Sequence, residues 1–259
     1  MHRIFLVGCP RSGTTIIQAL LVTHSEIVSF PETKIFHYAF WDKFINKLPE
    51  RLSQFFNNEI NRPELIQGFN KNQSMSTNVR WFLDILDALA REQQKSIWLE
   101  KTPEHIFFIK EISFFLPNAK FIHVTRNGLD TIASLYEATR MSQNELWGGQ
   151  WSLDYCIKRW KTCNSITKLY YNNPQHFIVK YEDLLVDKIL VLKACCDFIE
   201  VAYDNTMTKN YKSEALKLGL NMPWHDRIDR EIKPPVAPKY NQVFRQSEID
   251  YILDKLKTC

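Results

Sequence analysis

The sequence has no long apolar run, no cysteine framework and no strong excess of charge of one sign. No stretch approaches the roughly 18–20 apolar residues of a membrane-spanning helix, and the apolar run near residue 1 is too short for a signal peptide. The six cysteines contain no CxxC pair, so neither a zinc site nor a disulfide scaffold is indicated. A formal net charge of +4 is too small to indicate nucleic-acid or membrane binding. We therefore expect a cytoplasmic protein with reduced thiols and without nucleic-acid or membrane partners.

Internal repeats, low-complexity tracts and Gly/Ser linkers are also absent from the sequence. Hydrophobic residues make up 45% of the chain and charged residues 24%, which is ordinary for a globular protein. A chain of 259 residues buries a sizeable core without help from disulfides or metals. We interpret residues 1–259 as one domain, with helical insertions over about 36–95 and 136–172.

Short apolar segments alternate with helical patterns, which predicts an α/β fold with a central parallel sheet flanked by helices. The predicted strands are 4–7, 27–30, 97–99, 121–125 and 177–179. Most of them lack apolar/polar alternation, as expected of strands that are covered on both faces. Ligands of such sheets bind at the carboxyl ends of the strands. Polar or charged residues follow every predicted strand, so we expect the functional site there.

The most informative motif is a loop between the first predicted strand and the following helix. Gly8 and Gly13 have the GxxxxG spacing of a phosphate-binding loop, although the chain has only seven glycines. Glycine permits a tight turn in which several backbone N–H groups point at one anion, and the N-terminus of the helix adds partial positive charge. Thr14 and Thr15 offer hydroxyl groups to the same anion. The loop therefore predicts phosphate binding.

This loop departs from that of nucleotide hydrolases and kinases. Gly13 is followed by two threonines rather than by Lys and Ser/Thr, and Arg11 stands two residues before it. The fourth predicted strand is followed by Arg126 instead of a metal-binding aspartate. Only Glu100 offers a crude substitute for that aspartate. A magnesium-dependent P-loop kinase or hydrolase is thus an alternative function, and a non-catalytic nucleotide sensor is another.

Three segments resemble the sulfotransferases that use 3′-phosphoadenylyl sulfate (PAPS). Residues 10–15, Pro-Arg-Ser-Gly-Thr-Thr, resemble the 5′-phosphosulfate loop of that family. Arg126 with Ser134 eight residues later resembles its 3′-phosphate site, and residues 181–184, Tyr-Glu-Asp-Leu, resemble a further segment. The resemblance extends from about residue 4 to about residue 240.

The spacing of the motifs is most similar to that of bacterial sulfotransferases and protein-tyrosine sulfotransferases. In the latter group a catalytic glutamate lies 21 residues after the loop arginine, and that position is Glu32 here. Their lysine before a Pro-containing turn matches Lys101, which is followed by Thr-Pro. Their late Ile-Lys-Pro and Lys-aromatic motifs match residues 232–234 and 239–240.

The resemblance implies transfer of a sulfuryl group from PAPS to a hydroxyl group, with adenosine 3′,5′-bisphosphate (PAP) as product and no metal. It assigns Glu32 as the general base, and Arg11 and Lys101 as the cations that stabilise the leaving phosphate. It implies donor binding by Arg11, Ser12, Gly13, Thr14, Thr15, Arg126, Ser134, Tyr181 and Lys239. The rival bases are His37, His105 and Glu100, whereas His123 is interpreted as a core or supporting residue.

Some family residues are missing. The arginine that the family has twelve residues after its 3′-phosphate arginine is Ala138 here, with Arg140 nearby. The serine before Ile-Lys-Pro is also missing, and Arg227 stands near its place. Whether Arg140 or Arg227 substitutes for these residues is left open.

The acceptor is expected to be a small-molecule alcohol, bound where the two insertions shape the site. A bacterial secondary metabolite or toxin is one candidate, and a carbohydrate or a protein tyrosine is an alternative. The cysteines and leader of the Golgi enzymes are absent, so sulfation of secreted protein tyrosines is not expected. The aromatic-rich stretch 36–56 is interpreted as helical core or as an acceptor pocket. The oligomeric state, including a homodimer, is left open.

Overall fold

Five parallel strands form a sheet at the centre of the molecule, in the order β2-β3-β1-β4-β5. The computed structural model describes residues 1–141, 147–217, 232 and 237–257. The strands are β1 (His2–Gly8), β2 (Ile27–Ser29), β3 (Ile97–Lys101), β4 (Lys120–Thr125) and β5 (His176–Lys180). The predicted α/β fold with a central parallel sheet is confirmed, and each predicted strand overlaps an observed one.

Helices connect the strands and flank the sheet. The α-helices are α1 (Thr14–Leu21), α2 (Ile35–Phe40), α3 (Leu48–Ser53), α4 (Met75–Glu92), α5 (Ile109–Phe115), α6 (Gly128–Met141), α7 (Leu153–Leu169), α8 (Tyr181–Val186), α9 (Lys188–Ile199), α10 (Tyr211–Lys217), α11 (Tyr240–Val243) and α12 (Gln246–Lys257). Shorter turns of 3-10 helix span Ile45–Lys47, Pro63–Gly68, Pro103–Phe108 and Asn205–Thr208, and Gln54–Glu59 is a π-helix.

The sheet is buried on both faces, which explains why its strands read as continuous apolar runs. Successive side chains of a strand point to opposite faces. On β1, Ile4 and Leu6 enter a core with α1, α9 and α10, whereas Phe5 and Val7 enter a core with α4, α5 and α7. The carboxyl ends of the strands meet at one edge, since Leu6 pairs with Lys101 across the sheet.

The structure corrects two boundaries of the sequence prediction. β3 continues through Glu100 and Lys101, so these residues end the strand rather than follow it. A proline at a first turn predicts a helix that opens at Pro103, but the observed helix begins as a 3-10 helix and becomes α-helical only at Ile109. β3 is longer than predicted because Glu100 and Lys101 pair with Phe5 and Leu6 of β1, and the charge of Glu100 does not suggest such a buried position.

The aromatic-rich stretch 36–56 contains both buried and exposed rings. Phe36, Phe55 and Phe56 belong to the core, with at most 1% of each residue exposed, whereas Trp41 is 39% exposed. His123 is fully buried, as expected. The described parts of both predicted insertions are mainly helical, but the single-domain interpretation of residues 1–259 stays a prediction. None of the helices in the described ranges is long and apolar enough to span a bilayer.

Candidate active site

The predicted phosphate loop is the turn between β1 and α1, at the carboxyl edge of the sheet. Gly13 has a left-handed φ of +104°, and a Cβ atom there would overlap the ring of Tyr181. A Cβ atom at Gly8 would lie 2.5 Å from the carbonyl oxygen of Val124. Arg11 is also left-handed, with a φ of +73°. The close approach of β4 and Tyr181 therefore requires both glycines, and the tight turn that results is suited to holding an anion.

Ser12 provides an internal test of whether an anion fits this loop. Only 1% of the residue is exposed, and its Oγ has no hydrogen-bond partner within the described part of the chain. Burying a hydroxyl group without a partner costs free energy, which a bound oxyanion would offset. Thr14 and Thr15 follow as the first residues of α1, and the N-terminus of this helix has no side-chain cap. The loop thus offers donors to an anion from side chains and from backbone N–H groups.

A second cationic group lies beside the loop. The Arg126 side chain, just after β4, is 7% exposed and approaches Asp130 at 3.6 Å. It donates to the carbonyl oxygen of Arg11 at 3.3 Å, and its guanidinium carbon lies 4.8 Å from the centre of the Tyr181 ring. Nε of Arg11 donates to Oγ of Ser134 at 3.2 Å. The structure therefore brings together Arg11, Arg126, Ser134 and Tyr181, which the sequence predicts at the donor site, from three separate segments.

The two remaining residues of the predicted catalytic set are in contact with each other. Lys101 is 1% exposed at the end of β3, and its Nζ lies 2.5 Å from Oε1 of Glu32. The carboxylate of Glu32 also faces Nζ of Lys34 at 3.9 Å, and its side chain is 30% exposed. An ion pair at the carboxyl edge of the sheet thus joins a predicted general base to a predicted cation.

Glu100 and His105, two of the rival bases, belong to a buried network beneath this pair. Oε1 of Glu100 accepts from the backbone and hydroxyl of Thr33 at 3.1 and 2.8 Å and from the hydroxyl of Thr102 at 2.6 Å. Nδ1 of His105 lies 2.8 Å from Oε2. Burial raises the pKa of Glu100, but the adjacent His105 and these hydrogen bonds outweigh burial and hold the pKa below its usual value. Both residues are at most 1% exposed, and the bonds to Thr33 and Thr102 make Glu100 the centre of this network.

His37, the third rival, lies among aromatic rings on α2. Its ring centre is 4.8 Å from that of Trp41 and 4.5 Å from that of Phe44. Burial, and then the nearby charge of Lys34, lower the pKa of His37 to about 4. Its imidazole is therefore neutral at pH 7.

Lys239, the predicted donor-site residue nearest the C-terminus, lies against α6. Nζ of Lys239 is 2.6 Å from Glu137, and its backbone N–H donates to Asp130 at 2.7 Å. This places Lys239 against the helix that carries Ser134, with its amine paired. Arg140 donates to backbone carbonyls of α6 and of the segment before α7, at 2.8 and 3.0 Å. Arg227 lies outside the described residues, as do the lysine and proline of the Ile-Lys-Pro motif.

Sequence reasoning did not identify Arg51 and Glu59, which support the segment that carries Glu32. Arg51 is 6% exposed and donates to the backbone carbonyls of Glu32 and Thr33. The only signal in the sequence is a pair of opposite charges in a helical stretch, and such pairs are common on solvated faces. Across the described ranges, no group of three or more His, Cys, Asp and Glu side chains is arranged to hold a metal. A metal-free reaction stays a prediction.

Comparison with solved structures gives the same fold as known sulfotransferases. The sulfotransferase domain of the Synechococcus PCC 7002 olefin synthase is 21% identical, with a TM-score of 0.66 over 99% of this chain and 94% of that chain. The sulfotransferase domain of the curacin biosynthetic pathway is 18% identical, with a TM-score of 0.67 over 99% and 97%. Mouse sulfotransferase SULT7A1, solved in complex with PAP, is 13% identical, with a TM-score of 0.58 over 99% and 84%.

Sequence comparison adds a curated relative and a family model. An uncharacterised protein of Aquifex aeolicus (strain VF5) is 24% identical over 213 residues, which are 82% of this chain. The chain spans only 27% of the length of that relative. The model of the sulfotransferase family matches residues 3–205, from the start of β1 to beyond α9. That range contains the phosphate loop, Glu32, Lys101, Arg126 and Tyr181, and this chain belongs to the sulfotransferase family.

Proposed function

We propose that this protein transfers the sulfuryl group of PAPS to a hydroxyl group of a small-molecule acceptor and releases PAP. The observation that carries the proposal is the convergence, at one edge of the sheet, of a phosphate loop, a second arginine site and a Glu32–Lys101 pair. The mouse relative in complex with PAP supports the assignment of the nucleotide. Because the chain spans about a quarter of its curated relative, the proposal concerns the activity of this chain alone.

The donor's 5′-phosphosulfate would lie in the loop at the N-terminus of α1. Backbone N–H groups, the Ser12 hydroxyl and the Arg11 guanidinium would donate to it, with Gly13, Thr14 and Thr15 completing the cradle. Arg126 and Ser134 would bind the 3′-phosphate, since both lie next to Arg11. Tyr181 would contact the nucleotide beneath Arg126, and Lys239 would approach it along α6.

The reaction breaks the bond between sulfur and the bridging phosphate oxygen and forms one between sulfur and the acceptor oxygen. Negative charge develops on the leaving phosphate, where Lys101 and Arg11 would stabilise it. The acceptor hydroxyl loses a proton, which a carboxylate oxygen of Glu32 would accept. Nζ of Lys101 lies 2.5 Å from Oε1 of Glu32, so the proposed base and the proposed cation lie side by side at the edge of the sheet.

The acceptor would approach from the side of α2, where Trp41 is exposed and His37 lies among aromatic rings. Such a surface favours an alcohol with an apolar or aromatic body. The similarity to the domains of an olefin synthase and of the curacin pathway favours a tailoring step in bacterial secondary metabolism. A carbohydrate or a protein tyrosine would be the alternative acceptor.

The magnesium-dependent alternative is disfavoured by the position of Glu100. Both carboxylate oxygens of Glu100 are occupied by Thr33, Thr102 and His105, and the residue is buried. It is therefore not directed at the phosphate loop as a metal ligand would be.

Two experiments test the proposal. In calorimetric titrations without magnesium, PAP is expected to bind much more tightly than 5′-AMP, because only PAP carries the 3′-phosphate for Arg126 and Ser134. Labelled PAPS is incubated with a panel of phenols, aliphatic alcohols, sugars and tyrosine peptides. Label is expected on a phenol or an aliphatic alcohol rather than on a sugar or a peptide. Equal affinity for the two nucleotides would contradict the donor site. Tight PAP binding without transfer to any member of the panel would favour the alternative function, a non-catalytic nucleotide sensor.

A further inference from the structure

The segment between β2 and α2 carries Glu32, and Arg51 holds this segment from the side of α3. Nε of Arg51 donates to the carbonyl oxygen of Thr33 at 3.1 Å, and its second terminal nitrogen donates to the carbonyl oxygen of Glu32. Its guanidinium also binds both carboxylate oxygens of Glu59, at 2.6 and 2.8 Å. One buried side chain therefore fixes two consecutive carbonyl groups, one of which belongs to Glu32 itself.

The same segment is held from its other side by Glu100. The backbone N–H and the hydroxyl of Thr33 both donate to that carboxylate. Its carbonyl groups therefore bond to Arg51 and an N–H group bonds to Glu100, which fixes the two peptide planes that follow Glu32. Lys34, the next residue, has a left-handed φ of +54°. A non-glycine residue keeps such a conformation only where its surroundings determine it.

The ion pair of Arg51 with Glu59 is suited to fixing geometry more than to adding stability. Burying a charged pair costs desolvation free energy that roughly cancels its attraction, so a well-packed apolar pair would stabilise the fold equally well. A planar guanidinium with fixed donors gives direction that an apolar side chain does not give. Glu59 accepts from the terminal nitrogens of Arg51 and sets the orientation of its guanidinium.

We propose that Arg51 is a positioning residue, which sets the direction of the Glu32 carboxylate toward Lys101 and the acceptor hydroxyl by holding the carbonyl groups of Glu32 and Thr33. Glu59 acts one step further back, since it orients Arg51. The inference rests on the proposed function, in which Glu32 removes the proton of the acceptor.

The test compares Arg51→Met with Glu32→Gln, using the alcohol selected from the panel above. We expect Arg51→Met to lower kcat by about 10- to 100-fold, since a displacement of about 1 Å at a reacting group has an effect of that order. The KM for PAPS and the affinity for PAP are expected to change by less than about threefold, because Arg51 contacts no donor-site residue. Arg51→Lys is expected to behave like Arg51→Met, since a lysine does not bridge both carbonyl groups and Glu59.

Arg62 provides a surface control for the loss of an arginine–glutamate ion pair. It binds the carboxylates of Glu64 and Glu92 with 35% of its side chain exposed, and it contacts neither Glu32 nor Thr33 in the described structure. Arg62→Met is therefore expected to retain wild-type kcat. A milder variant, Glu59→Gln, keeps Arg51 in place and is expected to lower kcat by less than Arg51→Met does. It provides the measurement if Arg51→Met fails to fold.

The outcomes separate this inference from the proposed function. If Glu32→Gln retains turnover, the assignment of the base has failed. If Glu32→Gln is inactive and both Arg51→Met and Glu59→Gln retain wild-type kcat, only the role of Arg51 is overturned. Crystal structures give an independent readout without an acceptor. In Arg51→Met we expect the Glu32–Lys101 contact of 2.5 Å to be lost, and an unchanged contact would also overturn the inference.

Discussion

The donor side and the base side of the site differ in how their polar groups are satisfied. On the donor side, the buried Ser12 hydroxyl has no hydrogen-bond partner within the described residues, and the N-terminus of α1 has no side-chain cap. On the base side, Glu100 accepts from three protein donors on one oxygen and contacts His105 through the other, and Arg51 bonds two carbonyl groups and a carboxylate. The donor side is prepared for a ligand that supplies missing bonds, whereas on the base side both oxygens of Glu100 are already paired and, among the described residues, only Nε2 of the buried His105 is left without a partner in this network. Substitutions on the two sides should therefore affect different quantities.

The largest expected effect concerns turnover on the base side. Glu32→Gln keeps the shape of the side chain but removes the proton acceptor, so kcat should fall by about 100- to 10,000-fold. Affinity for PAP should remain at the wild-type level, because Glu32 does not lie in the phosphate loop. Steady-state kinetics and calorimetry on the same preparation measure both. Near-normal turnover would move the base to another residue, with His37 the first to be substituted.

The next effect concerns nucleotide affinity on the donor side. Arg126→Met should weaken PAP binding by about 10- to 100-fold, since a hydrogen bond to a charged group contributes about 1.5–3 kcal/mol. Binding of 5′-AMP, which has no 3′-phosphate, should change far less. Titration of both nucleotides into wild type, Arg126→Met and the control Arg62→Met measures the difference. An equal loss for both nucleotides would show that Arg126 supports the fold of the site rather than the 3′-phosphate.

A base-side substitution away from the reacting atoms should instead lower stability. Glu100→Gln places an amide where Thr33, Thr102 and His105 need acceptors, so the free energy of unfolding should fall by about 1–3 kcal/mol. Because the folded pKa of Glu100 is lowered, its ionised form stabilises the fold above the ordinary carboxyl pKa. This advantage over Glu100→Gln should shrink as the pH falls through the folded pKa. Urea unfolding at several pH values measures it, and equal stability of the two proteins at pH 7 would contradict the network.

The smallest expected change in stability concerns Ser12, whose substitution should separate fold stability from nucleotide affinity. Ser12→Ala removes a buried hydroxyl that has no partner in the described structure, so the free energy of unfolding should change by no more than about 0.5 kcal/mol. Binding of PAP should weaken by about tenfold, because the loop loses one donor to the anion. Thermal unfolding with and without PAP separates the two quantities. A loss of stability in the absence of nucleotide would mean that the donor side is complete by itself.

The donor side and the base side also differ in how much of each could be predicted from the sequence. The phosphate loop was predictable because its GxxxxG motif occupies one turn, where residue spacing determines position, whereas Arg126 and Ser134 were assigned from the family resemblance. The roles of Glu32 and Lys101 followed only from the family resemblance, which did not predict their contact. Arg51 was not predicted, because its bonds to Glu32 and Thr33 cross from a helix to a loop with no fixed spacing. Glu100 was placed after its strand because a buried carboxylate with four polar contacts is not evident from charge.

The ring of Tyr181 has a further consequence for the nucleotide. It lies against the backbone of Gly13 on the phosphate loop and beneath the guanidinium of Arg126. A single aromatic side chain at the start of α8 thus separates the phosphate loop from Arg126, and it would set the distance between the two phosphates of the proposed donor. This distance would suit a nucleotide with a 3′-phosphate. It would disfavour a nucleotide whose second phosphate is attached to the neighbouring 2′ carbon of the ribose.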